Sequence, residues 1–299
     1  MDHVYNRYWV KTMSLLTKLE YQIDFSLSEK DIANYILENK SSVVEMKISD
    51  LAKSTYTSPA TISRLCRKLG EASYRDFQVH FVGEIQSHNK EQVDFNRPFL
   101  QEDTIDEVSQ KINDLYLKTI AGTKALIVQE QLMQIVELID QSPILDLYAW
   151  GDSYLSALMF EHKMTYINQL VSLKHIPTEQ NQRALYSNEH TVALVISYSG
   201  KSDEMKKIVK IIKEKKGKVI ALTSMNDSYL RKNADYCLTL CSKENVIDKI
   251  AAYSSKISSD YLLDLIYSLL FQKHYQQYIN QKIDLQKEYD QRRNEIMDE

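Results

Sequence analysis

The stretch Ser58-Pro-Ala-Thr-Ile-Ser-Arg-Leu-Cys-Arg-Lys-Leu-Gly70 decides the fold of the first part of the chain. Its ends carry helix boundary signals, because Ser58 suits the N-cap, Pro59 the first helical turn and Gly70 the position after the last turn. Apolar residues recur between them at the spacing i, i+3, i+4, i+7, which places them on one face of a helix. They are Ile62, Leu65, Cys66 and Leu69. We therefore predict a short amphipathic helix from Pro59 to Leu69 with one buried face.

A second short helix is predicted just before it, over Lys47-Ile-Ser-Asp-Leu-Ala-Lys-Ser54 with Ser49 as its cap, followed by a turn that begins at Tyr56. Two short helices joined by a tight turn form a helix-turn-helix, whose second helix enters the major groove of DNA. Further upstream, Ser28 and Asp31 match the spacing of a capping box that opens another helix. Residues 1–88 are thus predicted to form an all-helical DNA-binding domain.

The face opposite the apolar stripe is polar and basic. From Lys53 to Arg75 there are five basic residues and one acidic residue, although the net charge of the whole chain is −4. Arg64 is expected to read a base edge or clamp a phosphate, and the other basic residues to contact phosphates. The alternative interpretation is an ordinary solvated helix face. The predicted DNA-binding residues are Lys53, Ser58, Ala60, Thr61, Ser63, Arg64, Arg67 and Lys68.

Length and composition argue against several other classes of protein. A length of 299 residues predicts about two domains. No apolar run approaches the ~20 residues that cross a bilayer, and the first residues lack the apolar core of a signal peptide, so we expect a cytoplasmic protein. Three cysteines are too few and too scattered for a disulfide framework or a zinc site. Neither a metal nor another cofactor is predicted.

From Pro143 onward, short apolar runs alternate with helical segments. Strands are predicted over residues 144–150, 171–176, 191–197, 218–223 and 236–240, and a long helix over 249–279. Such alternation predicts an α/β fold with a doubly wound, flavodoxin-like parallel sheet in three layers. The predicted domains are the DNA-binding domain at 1–88, a linker at 89–103, the α/β domain at 104–280 and a polar tail at 281–299.

Two loops at predicted strand ends carry small polar residues. The first is Trp150-Gly-Asp-Ser-Tyr154 and the second is Ser197-Tyr-Ser-Gly-Lys-Ser202. Ligands bind at the carboxyl ends of strands in open α/β sheets, and the free amide groups of a helix N-terminus favour a phosphate. Simple helix capping is the alternative. The predicted phosphate-ligand residues are Gly151, Asp152, Ser153, Ser197, Tyr198, Ser199, Gly200 and Ser202.

Leu27–Asn39, Ile48–Ala52, Ser58–Gly70 and Tyr74–Phe77 together resemble the N-terminal domain of RpiR-type transcriptional regulators, and the resemblance continues through the α/β domain. It implies that Pro59–Leu69 is the recognition helix. It also implies a homodimer or higher oligomer that binds a double-stranded DNA operator and regulates genes of sugar metabolism.

The two loops resemble the Gly-x-Ser and Ser-x-Ser-Gly-x-Thr signatures of sugar isomerase (SIS) domains. Carried over by position, the resemblance implies that Ser153, Ser197, Ser199 and Ser202 hold the phosphate of a sugar and that Gly200 shapes the turn. Ser202 stands in place of the usual threonine, and Lys201 in place of a frequent glutamate. Asp152 adds a carboxylate that would bind sugar hydroxyls or repel a phosphate.

Two alternatives remain open for the α/β domain. In one, it serves only dimerisation and has lost its ligand. In the other, it is a sugar-phosphate isomerase, which needs a base such as Glu or His beside a carbonyl carbon. The candidates Glu161, His162, His175, Glu179 and His190 share no motif. We therefore predict a regulator and not an enzyme.

Overall fold

The computed structural model describes residues 15–22, 25–88, 93–226, 228–245 and 247–289. They fall into two compact units that divide between Val93 and Asp94. Within these residues, no helix is both long and apolar enough to cross a membrane.

The described part of the first unit is helical. Its helices are α1 (Leu15–Tyr21), α2 (Leu27–Glu38), α3 (Lys40–Val43), α4 (Ile48–Ser54), α5 (Pro59–Leu69) and α6 (Tyr74–His88). They share one apolar core, in which the stripe of α5 is completely buried together with Leu16, Leu19, Ile32, Leu51 and Phe77. The predicted helix-turn-helix is therefore α4, the turn at 55–58 and α5.

Helix α5 begins and ends where the sequence predicts. The Ser58 side chain accepts a hydrogen bond from the Thr61 amide at 3.2 Å, and Gly70 ends the helix with a φ of 100°. Lys18 supports this end, since its Nζ donates to the Leu69 carbonyl at 2.5 Å. Burial lowers the pKa of Lys18, although Glu71 and Glu84 act in the opposite direction. A buried ammonium group thus caps the last turn of the predicted recognition helix.

Two predicted helix caps are wrong. Helix α2 begins at Leu27 with Ser26 as its N-cap, and its capping box pairs Ser26 with Glu29 instead of Ser28 with Asp31. Glu29 is one methylene longer than aspartate, and its Oε2 accepts from the Ser26 amide at 2.7 Å. The N-cap position of α4 is Lys47, which makes no side-chain capping bond, while Ser49 lies inside that helix.

The second unit contains a five-stranded parallel sheet in the order β2-β1-β3-β4-β5. This order confirms the predicted doubly wound, flavodoxin-like α/β fold. Its strands are β1 (Leu145–Ala149), β2 (Val171–Leu173), β3 (Val192–Ile196), β4 (Lys218–Ser224) and β5 (Tyr236–Leu240). Its helices are α7 (Ile105–Ala125), α8 (Gln129–Asp140), α9 (Asp152–Thr165), α10 (Pro177–Leu185), α11 (Asp203–Glu214), α12 (Tyr229–Asn233), α13 (Ser254–Lys273) and α14 (Tyr275–Tyr289).

Helices cover both faces of the sheet because strand side chains alternate between them. Leu145, Leu147 and Ala149 of β1 join a core with α8, α9 and α13, whereas Tyr148 joins a second core with α10, α11 and α12. The unit therefore has the three layers that the sequence predicts. Strand β2 ends at Leu173, three residues earlier than expected.

The predicted long helix at 249–279 is helical over most of its length but is wrong at its start and at one break. Residues 249–253 lie outside any helix, α13 begins at Ser254, and His274 separates α13 from α14. The cause lies in the preceding segment, where the buried side chain of Glu244 binds the first turn of α13.

The predicted linker at 89–103 also differs from the structure. Residues 94–103 belong to the second unit. The Asn96 side chain accepts from the Asn245 amide at 2.6 Å, and its carbonyl accepts from the Ile250 amide at 3.0 Å. Polar composition alone did not reveal these hydrogen bonds. Residues 89–92 and the end of the predicted tail, 290–299, lie outside the described residues.

Candidate functional sites

The first candidate site is the polar face of α5 with the adjoining turn. Lys53, Ser58, Ala60, Arg64 and Arg67 are exposed. Thr61 and Ser63 are half-buried. The structure thus brings these predicted residues to the surface of one helix-turn-helix, opposite its apolar core.

A short hydrogen-bond chain orders the start of α5. Ser58 Oγ lies 3.0 Å from Thr61 Oγ1, to which Arg64 Nη2 donates at 3.3 Å. The guanidinium group remains exposed, so it is held near the helix N-terminus without being buried. The amide groups of that first turn and the guanidinium together form a surface suited to an anion such as a DNA phosphate.

Lys68 differs from the other predicted contacts. Its Nζ lies 2.8 Å from Glu29 Oε2 and 5.4 Å from the centre of the Phe25 ring. Burial acts to raise the pKa of Glu29, but hydrogen bonds from Lys68 and Ser26 outweigh it and the pKa is lowered. Lys68 therefore ties α5 to α2, a contact between distant parts of the sequence that the helix pattern does not show.

The second candidate site is formed by the loops after β1 and β3. These strands are parallel neighbours, with Ala149 paired to Ile196, so both loops leave the sheet at the same edge. Gly151 adopts a φ of 55° just before α9, and Ser153 lies in the first turn of that helix. Ser202 caps α11 by accepting from the Met205 amide at 3.3 Å. Two helix N-termini with serine hydroxyls are thus brought together.

Gly200 sets the shape of the second loop. Its φ is 60°, and a Cβ atom there would lie 2.4 Å from Ser228 Oγ and 2.8 Å from Thr223 Oγ1. Its amide donates to Ser197 Oγ at 3.3 Å, while the Lys201 amide donates to Ser199 Oγ at 3.4 Å. Only glycine combines this backbone conformation with such close packing.

The side chain of Lys249 lies beside both loops. Its Nζ is 3.8 Å from Asp152 Oδ2, 3.1 Å from Glu244 Oε2 and 5.8 Å from the centre of the Tyr198 ring. The Asp152 carboxylate is 65% exposed, whereas the Lys249 side chain is only 15% exposed. Because this single ammonium group also pairs with Glu244, which is nearer, it offsets the negative charge of Asp152 only in part.

The side chain of Glu244 holds this arrangement in place through hydrogen bonds. Its side chain is completely buried. Its Oε1 accepts from Ser254 Oγ and the Ser255 amide, each at 2.9 Å, and its Oε2 accepts from Ser255 Oγ at 2.5 Å. The Tyr198 hydroxyl donates to the Glu244 carbonyl at 2.6 Å, and burial raises the pKa of Tyr198 to about 12. Sequence reasoning missed Glu244 and Lys249, whose segment carries no recognisable motif.

The candidate isomerase bases are dispersed, although His175 lies against Tyr154 of the first loop. Glu161 accepts from the Leu173 amide at 3.3 Å, His162 contacts the Tyr166 hydroxyl at 3.0 Å, and His175 packs edge-on against Tyr154. Glu161 and His162 line a surface cavity together with Val171, the first residue of β2. This cavity is at the amino end of that strand, whereas the loops are at the carboxyl ends. In the described part of the chain, no cluster of His, Cys, Asp and Glu side chains is arranged to hold a metal ion.

Comparison with known proteins agrees with both units. Residues 13–88 match the helix-turn-helix domain of the rpiR family, and residues 137–268 match the SIS domain. An uncharacterised HTH-type transcriptional regulator of Clostridium perfringens is 29% identical over 276 residues, which are 91% of this chain and 97% of the relative. A regulator of the same description from Caldanaerobacter subterraneus subsp. tengcongensis is 28% identical over 256 residues, 86% of this chain and 89% of the relative.

Solved structures show the same fold. The Vibrio vulnificus NanR protein, solved in complex with ManNAc-6P, is 22% identical and aligns with a TM-score of 0.57 over 91% of this chain and 98% of its own. The sugar isomerase domain of an RpiR transcription factor from Sphaerobacter thermophilus is 12% identical and aligns with a TM-score of 0.52 over 59% of this chain and 97% of its own.

A helix-turn-helix unit followed by a SIS domain, with regulators as relatives along most of the chain, defines a helix-turn-helix transcriptional regulator. The chain belongs to the RpiR family of these regulators.

Proposed function

We propose that this regulator binds an operator through α5 and that a phosphorylated sugar, bound between the loops after β1 and β3, changes its affinity for DNA. The target genes would be those of sugar metabolism. The observation that carries the proposal is the pair of helix N-termini, with their serine hydroxyls, at adjacent strand ends. Such amide and hydroxyl donors favour a phosphate dianion. The complex of NanR with ManNAc-6P supports this class of ligand for a protein of the same fold.

A thermal-shift screen tests the ligand. We expect one phosphorylated sugar, among hexose, amino-sugar, N-acetyl-sugar and pentose phosphates, to raise the melting temperature by several degrees. A ligand present at 100 times its dissociation constant adds about 2.7 kcal/mol to stability, which produces a shift of this size. The matching unphosphorylated sugar should produce no shift.

Ser199→Ala should reduce the response, while Ser109→Ala on the exposed surface of α7 serves as the matched control. An equal shift with the unphosphorylated sugar would contradict a phosphate site. No shift with any sugar would favour an α/β unit that serves dimerisation alone.

Isomerase activity is not part of the proposal. Of the candidate bases, Glu161 and His162 line a cavity away from the two loops, and the ring of His175 packs against Tyr154 of the first loop. Glu244, which lies near the loops, accepts hydrogen bonds at both of its carboxylate oxygens. We therefore propose that the SIS unit binds its ligand without turning it over.

The proposal includes a homodimer or higher oligomer. Exposed apolar residues lie along α9 and beside it, among them Leu155, Leu158, Met159 and Leu170. Burying such a patch against a second copy would stabilise a dimer, and two copies of α5 would then bind two half-sites of the operator.

Arg64→Ala is expected to lower affinity for operator DNA by about 1–3 kcal/mol, because the exposed guanidinium of Arg64 bonds Thr61 near the first turn of α5. Fluorescence anisotropy with a labelled operator measures this loss. Lys210→Ala on α11 makes the same change in net charge away from the helix-turn-helix and is the control. Equal affinities of the two variants for DNA would show that Arg64 does not contact DNA.

A further inference from the structure

Tyr56 occupies the turn between α4 and α5 in an unusual conformation. Its φ is 52°, in the left-handed region that favours glycine, and its side chain is 99% exposed. An aromatic side chain strains this backbone conformation. Complete exposure means that its ring adds nothing to the core. The cap that ends α4 requires this φ but not an aromatic ring, so a fully exposed tyrosine at this position points to a role outside the fold.

The turn holds Tyr56 rigidly. Its amide donates to the Lys53 carbonyl at 3.2 Å, and the Thr57 amide donates to the Ala52 carbonyl at 2.9 Å. On one side, Thr55 is buried and its hydroxyl binds both the Leu51 carbonyl and Thr57 Oγ1, each at 2.8 Å. The two backbone bonds form the C-terminal cap of α4, which places Tyr56 in the left-handed region, and its ring is directed to solvent.

The other described residues with positive φ outside glycine differ from Tyr56. They are Gln22, Asn168 and Lys216. Asparagine tolerates this region well, and the Gln22 side chain donates to Asn34 Oδ1 at 2.5 Å. Among these residues, Tyr56 alone is aromatic. It also adjoins the candidate DNA-binding residues Lys53 and Ser58.

We propose that Tyr56 contacts the DNA backbone, with its hydroxyl donating to a phosphate oxygen at the edge of the groove that α5 enters. The proposal rests on DNA binding by the helix-turn-helix. In that motif, the helix before the turn crosses the backbone and the helix after it enters the groove. Tyrosine is a common donor to DNA phosphates. Such a contact fixes the position of the protein on DNA without reading sequence.

A phosphate contact does not require the natural operator, so the probe is a fluorescein-labelled duplex of random sequence. Anisotropy titrations of the full-length protein between 50 and 200 mM salt would give both affinity and its salt dependence. Tyr56→Phe should bind about tenfold more weakly, as expected on losing a hydrogen bond to a charged group. The slope of log affinity against log salt should not change, because a neutral hydroxyl releases no counterion.

Tyr56→Gly separates binding from folding. Glycine relieves the strained φ, so this variant should melt at or above the wild-type temperature and still bind DNA about tenfold more weakly. Tyr186→Phe, at an 81% exposed tyrosine of the second unit, is the control and should match wild type.

Wild-type affinity in both Tyr56 variants, together with a loss in Arg64→Ala, would overturn the Tyr56 contact and leave the DNA-binding surface intact. Failure of the wild-type protein to bind the duplex even at 50 mM salt would overturn DNA binding and the contact together.

Discussion

Replacing Glu244 with alanine is expected to destabilise the second unit by about 3–5 kcal/mol, the range observed when one partner of a buried ion pair is removed. The variant leaves the ammonium group of Lys249 without its nearest carboxylate and the Ser255 amide and hydroxyl without their acceptor. The Ser254 hydroxyl keeps only Ser242 Oγ, at 2.7 Å. Each of these groups is buried or nearly so, and water cannot replace the carboxylate without opening the packed segment.

Chemical denaturation of the full chain, followed by circular dichroism, measures the change in stability. Glu244→Gln is the informative second variant, because it keeps the volume of the side chain and removes its charge. The loss of stability in Glu244→Gln should be smaller than in Glu244→Ala but still measurable. Glu189→Ala, at an exposed glutamate, should leave the denaturation midpoint unchanged. A loss below about 1 kcal/mol for alanine would show that Glu244 is not needed to hold the segment in place, since surface changes fall within that range.

Gly200→Ala is expected to destabilise the chain by about 2–5 kcal/mol through backbone strain and crowding together. The new Cβ would meet Ser228 Oγ, Ser228 Cβ and Thr223 Oγ1, all within 3 Å. Neither neighbour has room to move, since Thr223 and Ser228 are both buried. The loop must therefore shift, and the response to any phosphorylated sugar should disappear.

Gly151→Ala provides the matched comparison for stability. Gly151 has a similar φ of 55°, but a Cβ atom there meets nothing within 4 Å. Its expected loss is the strain alone, about 1–3 kcal/mol, because a ψ of −131° places Gly151 outside the left-handed helical region. Thermal melts of both variants separate the two effects. If both variants lose the same free energy of unfolding, crowding around Gly200 does not contribute to the destabilisation. The positive φ alone would then explain the need for glycine.

Local signals were sufficient for much of this fold. The cap at Ser58, the stop at Gly70 and the apolar stripe between them predicted α5 to the residue. Alternation of apolar runs with helical periodicity predicted the parallel sheet, and the boundaries of β5 were also correct. These features succeed because each depends on residues close together in the sequence.

Features that depend on distant residues were not predictable. The ion pair of Lys68 with Glu29 joins two helices, so a basic residue on a polar helix face could not be distinguished from a phosphate contact. The burial of Glu244 depends on the start of α13, and periodicity extended that helix backward over a segment that the carboxylate holds in irregular form. The misplaced capping box has a different cause, because Ser26 and Glu29 are only three residues apart and match the usual Ser-x-x-Glu pattern, which the sequence itself offers.

Asn96 has an energetic consequence for the regulator. It lies three residues after Val93, and it holds the segment that carries Lys249 through two hydrogen bonds. Two such bonds together are worth about 1–3 kcal/mol. Allosteric coupling free energies are typically of the same size, about 1–3 kcal/mol. A ligand that moved the backbone of this segment would have to move Asn96 with it or break these two bonds.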